Sequence, residues 1–352
     1  RTHQLLRRAG PPVPRTFALG NKHRQSETVA KLRGIQGAIG MMKDAQRWLL
    51  GLWCLLRPTP VAAWAVVTPT LGLVVAWGEV GYAGINWRLL ALAILVTVKL
   101  HGLVSHGIND RIDWQSGTDI SSRGVLSGGS KAVHRGLVNL VELTWISRIA
   151  LGSTILLGAY VAIMAGPWVW LCLVIGIWAA VAYSLPPLQL SYRPLMGEWL
   201  CAWPALLASS SCIYYVITGR VSPRALWAGA LHGMFCLGWL MEHHISDIPA
   251  DLKATPQKTT TVAYVADRWG IEAAPLVPFL YFLLALPLAI LLFRHDTAFP
   301  RKILVSAVAI LTSAAMAKGT DPRSIADITR REKYLTVITF LHAIWLGWAL
   351  VV

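Results

Sequence analysis

Nine times between residue 60 and the end of the chain the sequence runs apolar for 16 to 23 residues: about 60–78, 88–108, 143–165, 168–185, 198–218, 225–245, 274–293, 302–317 and 334–352. A helix rises about 1.5 Å per residue, so a run of about 20 covers the ~30 Å hydrocarbon core of a bilayer. Helices are also the open-chain way to satisfy every backbone amide in lipid. The rest of the composition agrees. Only 14% of residues are charged, against about 25% in soluble domains. The expectation is an all-α, polytopic membrane bundle of about nine transmembrane helices around a central cavity. Residues 51–352 form the transmembrane domain and residues 1–50 a basic N-terminal arm.

The formal net charge is +15, which first suggests nucleic acid. The distribution points elsewhere, because the basic residues follow the loops. Assigned to alternate sides, 24 Lys and Arg fall on the side of the N-terminal arm and six on the other. By the positive-inside rule the rich side is cytoplasmic, and an odd number of spans then places the C-terminus outside. The expected partners are membrane lipids and small molecules, not nucleic acid. The arm lacks the apolar core of a secretory leader. It reads either as a solvated tail or as a segment that attracts anionic head groups.

The five cysteines, at 54, 172, 201, 212 and 236, lie in or beside apolar runs with no CxxC pair. They read as buried thiols, not as a disulfide framework or a zinc site. The polar residues at span ends are more informative, because ionisable groups there are costly and usually functional. Span two ends in His106-Gly-Ile-Asn109-Asp110-Arg-Ile-Asp113, followed by Trp-Gln-Ser-Gly-Thr-Asp119. Span six ends in Glu242-His243-His244-Ile-Ser-Asp247-Ile-Pro-Ala-Asp251. Asn109 and Asp113 are four apart and share a helix face, and so do Asp247 and Asp251 if Pro249 sits in a first turn. Both clusters belong to the basic side of the topology. Converging carboxylates repel and resist desolvation. Magnesium resolves this, since it takes oxygen ligands from a few carboxylates and completes its shell with water and phosphate. The alternative is that each cluster is simply a polar helix end facing water.

Other groups lie on the same side. Ser127-Gly128-Gly129-Ser130 is a short glycine loop able to cradle an anion or to serve as a plain turn. Tyr183-Ser184-Leu-Pro-Pro187 closes span four and Arg193 follows; Arg57-Pro58 opens span one; Lys258 lies seven residues after Asp251. Each basic residue alone is a topology anchor, and only their clustering beside the acidic pairs suggests phosphate.

Together these motifs resemble the UbiA superfamily of intramembrane prenyltransferases. Asn109-Asp110-Arg-Ile-Asp113-Trp-Gln-Ser-Gly117-Thr-Asp119 looks like the family's first aspartate-rich motif, and Asp247-Ile-Pro-Ala-Asp251 like the second. Tyr183-Ser184-x-Pro186-Pro187 with Arg193-Pro194 and Gly197-Glu198 is similar to the segment joining the fourth and fifth helices. The glycine loop is most like the branch that prenylates dihydroxynaphthoate. The resemblance covers about residues 50–352. It implies that Asn109, Asp113, Asp247 and Asp251 hold two Mg²⁺ ions bridging a prenyl diphosphate, with Asp110 acting alongside Asp113, Asp247 and Asp251 in catalysis and Asp119 in support. It further implies that Arg57, Tyr183, Ser184, Arg193 and Lys258 contact the diphosphate. Two positions depart from the pattern. His243 stands where the second motif usually has Asn, and Pro256-Gln257-Lys258-Thr259 replaces the usual GKRT.

The implied reaction is Mg²⁺-dependent transfer of an isoprenyl group from its diphosphate to an aromatic or quinone-precursor acceptor. Two alternatives stay open: a cyclase of the same superfamily that closes the prenyl cation on itself, and a non-enzymatic polytopic carrier. A carrier has no use for two acidic pairs.

Overall fold

The computed structural model describes residues 44–352. The basic arm expected over residues 1–50 therefore lies almost wholly outside the described residues. Of it only residues 44–50, which are helical, are seen. Gly51–Val352 is a unit of its own and carries the architecture.

Among the described residues that unit contains helices and no strand. Nine of the helices coincide with the nine apolar runs. They are α1 (Pro58–Val80), α2 (Trp87–Ser116), α3 (Leu140–Ala165), α4 (Pro167–Ala182), α5 (Glu198–Thr218), α6 (Pro223–Ile245), α7 (Ile271–Phe293), α8 (Phe299–Lys318) and α9 (Ile325–Val351). Seven are both long and apolar enough to cross a membrane. The two exceptions have separate causes. At 16 residues, α4 is short. By contrast α6 has the length, at 23 residues, but Arg224, His232, Glu242, His243 and His244 hold its mean hydropathy down. Its polar residues are mostly buried, so it is an interior helix and not a surface one.

The outer faces of the bundle are apolar. Leu156 and Ile163 on α3, Leu304 on α8 and Ile344 on α9 are all more than 60% exposed. In water such a surface would aggregate, whereas in lipid it is the expected coat. The chain is an integral multi-pass membrane protein. Inside, α6 is the axis. It packs against α1, α5, α7 and α9, and Leu231, Phe235, Leu237 and Met241 along it are completely or almost completely shielded. Phe235 meets Phe282 of α7 edge-on at 5.8 Å.

Close approach between α1 and α5 rests on Gly72. A Cβ there would stand 2.0 Å from the Ser210 carbonyl oxygen and 3.2 Å from the Tyr214 amide nitrogen. Small residues permit such helix contacts in membranes, where packing replaces hydrophobic drive. Gly72→Ala should destabilise the bundle by at least ~1–3 kcal/mol, the usual cost of overpacking, because backbone and not a side-chain tip blocks the methyl. Thermal unfolding in detergent checks this, and an unchanged midpoint would show that the two helices are not locked together at this point.

The span ends differ from the sequence expectation. Instead of ending near 108 with its apolar run, α2 continues two turns further, to Ser116. Likewise α9 starts at Ile325, well before 334. Hydropathy stops where lipid stops, but a helix needs only satisfied backbone and continues past it. Gly117, at φ 90°, ends α2.

Candidate active site

Arg57 is the first side chain that the local sequence places. Proline disfavours the helical region for the residue before it, and Arg57 adopts φ 47° between a helical stretch and α1. For a non-glycine residue this left-handed conformation is uncommon. It aims the guanidinium at Asp110, with which it forms an ion pair.

The first acidic motif lies on the polar extension of α2. Asp113, almost fully buried, is bound on both oxygens. Tyr192 donates its hydroxyl to Oδ1 at 2.8 Å, while Lys258 Nζ at 2.7 Å and Asn109 Nδ2 at 2.8 Å donate to Oδ2. Asn109 also donates to Ser184 Oγ at 3.2 Å. Asp110 faces the other way, and besides Arg57 it accepts from the Ser130 amide at 3.0 Å. Asp110 thereby fastens the glycine loop to the helix. In that loop Gly129 has φ 75°, and a Cβ on it would lie 2.2 Å from Asp119 Oδ2. Burial, then Asp113 and Asp110, push the Asp119 carboxyl well above the usual carboxylate range.

The second motif follows α6. As a first-turn position requires, Pro249 sits at the start of a short helix, Ile248–Asp251, preceded by Asp247. Ser127 and Ser122 both donate to Asp247 Oδ1, the former at 2.6 Å. Asp251 is wholly buried, and neither of its carboxylate oxygens has a hydrogen-bond partner among the described residues. Burial raises its pKa well above the usual range; Lys258 opposes the shift, and Asp247 and Asp113 add to it. Backbone bonds set Lys258 in place. Its own amide donates to the Asp251 carbonyl at 3.0 Å, and flanking amides reach Ser116 and Tyr192. Burial pulls the Lys258 pKa down, but the Asp113 and Asp251 carboxylates outweigh it and hold the ammonium charged.

A cavity of about 230 Å³ opens between the two motifs. Its polar end is lined by Arg57, Asn109, Asp113, Asp119, Tyr183, Asp247 and Lys258, and Gly128 and Gly129 of the loop close it. Its deeper part is lined by Trp64, Leu100, Ala180, Leu206, Trp239 and Leu240. A second, apolar cavity of about 60 Å³ shares Thr97, Leu100, Gly176, Ala205 and Ser209 with the first, so the apolar space continues between α2, α4 and α5. Three π-helical turns shape the wall. They interrupt α1 at Ala62–Val67, α2 at Leu100–Ser105 and α5 at Glu198–Ala202. Trp64, His101 and Cys201 lie on them and all line the cavity. Such turns are rare and gather at functional sites.

The expected site residues thus fall into three groups. Arg57, Asn109, Asp113, Tyr183, Asp247 and Lys258 line the cavity. Asp110, Ser184 and Asp251 stand directly behind them and are buried. Arg193 is brought to neither place; it is exposed and outside the cavity lining. Sequence reading missed Tyr192, which clasps Asp113, and the serines at 122 and 246 around Asp247. It also missed the π-turns, for which the sequence carries no signal. The cysteines are all free. Cys172, Cys201 and Cys236 are buried, but Cys54 and Cys212 are only half-buried.

Among the described residues no three His, Cys, Asp or Glu side chains converge tightly enough to enclose a metal by themselves. The donor set nonetheless suits a hard divalent cation that phosphate completes, since magnesium takes only one or two protein carboxylates and draws the rest from water and substrate. The orphaned Asp251 carboxylate is the strongest sign, because a buried charge without a partner is costly. A folded-state pKa raised in this way favours the neutral form. Its contribution to stability is present at low pH and is lost as pH rises from the ordinary carboxylate value through the raised one. Asp251→Asn should therefore stabilise the metal-free protein near neutral pH by about 1–3 kcal/mol and flatten its loss of stability with rising pH. The same change should remove stabilisation by Mg²⁺. Melting curves across pH, with and without Mg²⁺, check this, and a less stable variant would mean that Asp251 has a protein partner.

No protein-family model matches the sequence, and no curated protein matches it. Solved structures do. A UbiA homolog from Archaeoglobus fulgidus bound to GPP and Mg²⁺ superposes with a TM-score of 0.59 at 16% identity, over 86% of this chain and 99% of that one. The same homolog bound to DMAPP and Mg²⁺ gives 0.59 over 85% and 98%, and bound to Cd²⁺ 0.54 over 84% and 97%. At 16% identity what is shared is the fold: this chain has the fold of those structures over nearly their whole length.

Proposed function

We propose that this chain is a member of the UbiA superfamily that transfers an isoprenyl group from a prenyl diphosphate, with a divalent metal, to an aromatic or quinone-precursor acceptor. The observation that carries the reading is the meeting of two acidic motifs, 134 residues apart from Asp113 to Asp247, with Arg57 and Lys258 at one end of an apolar cavity. That two such motifs face each other across a shared cavity is hard to reconcile with a carrier or with solvated helix ends. The fold it shares with structures that hold GPP or DMAPP with Mg²⁺ supports the same substrate class.

Asn109, Asp113, Asp247 and Asp251 would hold the magnesium, as two ions, with Asp119 in support. Bound there, the metal offsets the charge that builds on the diphosphate as the allylic C–O bond breaks. The chain's own cations share this task. The Lys258 ammonium and the Arg57 guanidinium are fixed by Asp113 and Asp110 before substrate arrives, so no reorganisation is needed when charge develops. Tyr183 lines the same end and offers a hydroxyl to a phosphate oxygen. Ser184 acts through Asn109. Below this polar end the wall is apolar, which keeps water from an allylic cation. The Trp64 and Trp239 rings offer faces able to stabilise it. The loops that close the site belong to the basic, cytoplasmic side of the topology.

The test is incubation of the purified protein with Mg²⁺ and prenyl diphosphates of increasing length, with and without dihydroxynaphthoate and hydroxybenzoate acceptors. Acceptor-dependent prenylated product is the expected result. A cyclic hydrocarbon formed without acceptor would make the chain a cyclase. The absence of any diphosphate release would overturn both readings.

A further inference from the structure

Several polar groups of the interior take no part in the scheme above, three of them in tight side-chain clusters. The His232–Cys236 pair and His342 sit in the core away from the cavity, and Asp296 with Lys302 and Arg224 ties loops at the far end. The third, His243, lines the cavity itself. Its Nδ1 lies 2.7 Å from Glu332 Oε1 of α9. Glu332 is 4% exposed, so its carboxylate requires a partner in the protein. Arg331, beside it in sequence, is engaged elsewhere, donating to Asp327 at 2.8 Å and to the Met316 carbonyl at 2.7 Å.

We infer that His243 and Glu332 form a proton-accepting dyad for the cation that prenyl transfer leaves; the inference rests on the prenyltransferase reading. With Nδ1–H donating to Glu332, the tautomer is fixed and the Nε2 lone pair is left to the cavity, which is the arrangement a general base needs. Position agrees. Trp239, His243 and Asp247 are successive at intervals of four and all line the cavity, Trp239 and His243 on one face of α6 and Asp247 in the turn that follows it.

 His243 lies in the last turn of α6 and Asp247 just beyond the helix end, so the imidazole belongs between the ionising end and the tryptophan. That is where a prenyl C1 and an acceptor carbon would meet. The step balances. The C1–O bond breaks with its electron pair leaving on the diphosphate, and a π pair of the acceptor forms the new C–C bond. The C–H pair at the attacked carbon then returns to the ring while its proton passes to His243 Nε2. Glu332 holds the resulting imidazolium, which later loses the proton to water. His243 is the catalytic residue of the pair and Glu332 the positioning one. A metal-ligand role for His243 fits less well, because magnesium prefers oxygen.

The experiment uses the full chain in detergent with Mg²⁺, geranyl diphosphate and whichever acceptor of the dihydroxynaphthoate and hydroxybenzoate panel supports turnover of the unaltered protein. His243→Ala should lower kcat by about 10²–10⁴-fold, with KM for geranyl diphosphate and the Mg²⁺ requirement within about twofold of the original. Added imidazole should restore part of the rate. Glu332→Gln should cost about 10–10²-fold, the scale of a lost orienting partner, and Glu332→Asp should recover part of it. Acceptor deuterated at the attacked carbon should show an isotope effect in Glu332→Gln that the unaltered protein lacks. Independently of turnover, the ¹⁵N-histidine resonances that disappear in His243→Ala should report protonated Nδ1 and unprotonated Nε2. Unchanged kcat in His243→Ala, or a loss repaired by excess Mg²⁺, overturns the dyad while the prenyltransferase reading stands. An unaltered protein inactive with every probe overturns that reading, and the dyad falls with it.

Discussion

Asp113→Ala and Asp247→Ala are each expected to reduce product formation by more than 10³-fold while the protein still folds and inserts. One lost preorganised contact to developing charge costs about 10²–10³ in rate, and each of these residues serves more than one such contact. Asp113 is the point on which Asn109, Tyr192 and Lys258 converge, so its loss leaves the Lys258 ammonium unpaired as well as removing an oxygen ligand. Asp247 accepts from Ser122 and Ser127, and truncating it frees the loop that closes the cavity. The measurement is product formation against Mg²⁺ concentration, with size-exclusion behaviour as the folding control. Near-normal activity independent of Mg²⁺ in either variant would sink the assignment of the acidic motifs.

Lys258→Met should be the most damaging single change to the site's integrity. The Lys258–Asp113 pair has side chains 8% and 4% exposed. Breaking a buried pair from one side typically costs ~3–5 kcal/mol, because the remaining charge is left uncompensated. The variant should lose that stability and also lose turnover. Asp113→Asn combined with Lys258→Met should recover most of the stability, since both charges of the pair are then removed together, and should recover no activity. Chemical denaturation of Lys258→Met, Asp113→Asn and the double variant closes the cycle. If the double variant is no more stable than Lys258→Met alone, the pair is not what holds these segments together.

Much of this was legible without coordinates. The nine runs predicted the nine helices because lipid imposes one requirement on every span, and the requirement is written as continuous apolarity. The two acidic motifs were legible for a related reason: in so apolar a chain, carboxylates at span ends stand out, and their four-residue spacing is local helix geometry. The placement of Asp251 behind Asp247 in a first turn containing Pro249 followed from the same local rules. The helix ends were less legible, since α2 outruns its apolar stretch to carry Asn109 and Asp113. Arg193 was misleading, because a basic residue beside a motif looks the same whether it faces substrate or solvent.

Sequence by itself determined the fold class, the chemistry of the donor set and the end of the bundle where it gathers. These depend on composition and on contacts between near neighbours in the chain. Only the tertiary structure decided which groups meet: Lys258 with Asp113 across 145 positions, Ser127 with Asp247 across 120, and His243 with Glu332 across 89. It also decided that the Asp251 carboxylate would have no hydrogen-bond partner among the described residues. No local rule fixes these pairings, because each depends on how far and at what rotation one helix packs against another. That is set by close contacts such as Gly72 against Ser210 and by the π-turns that re-aim Trp64 and His101, and neither leaves a mark on hydropathy.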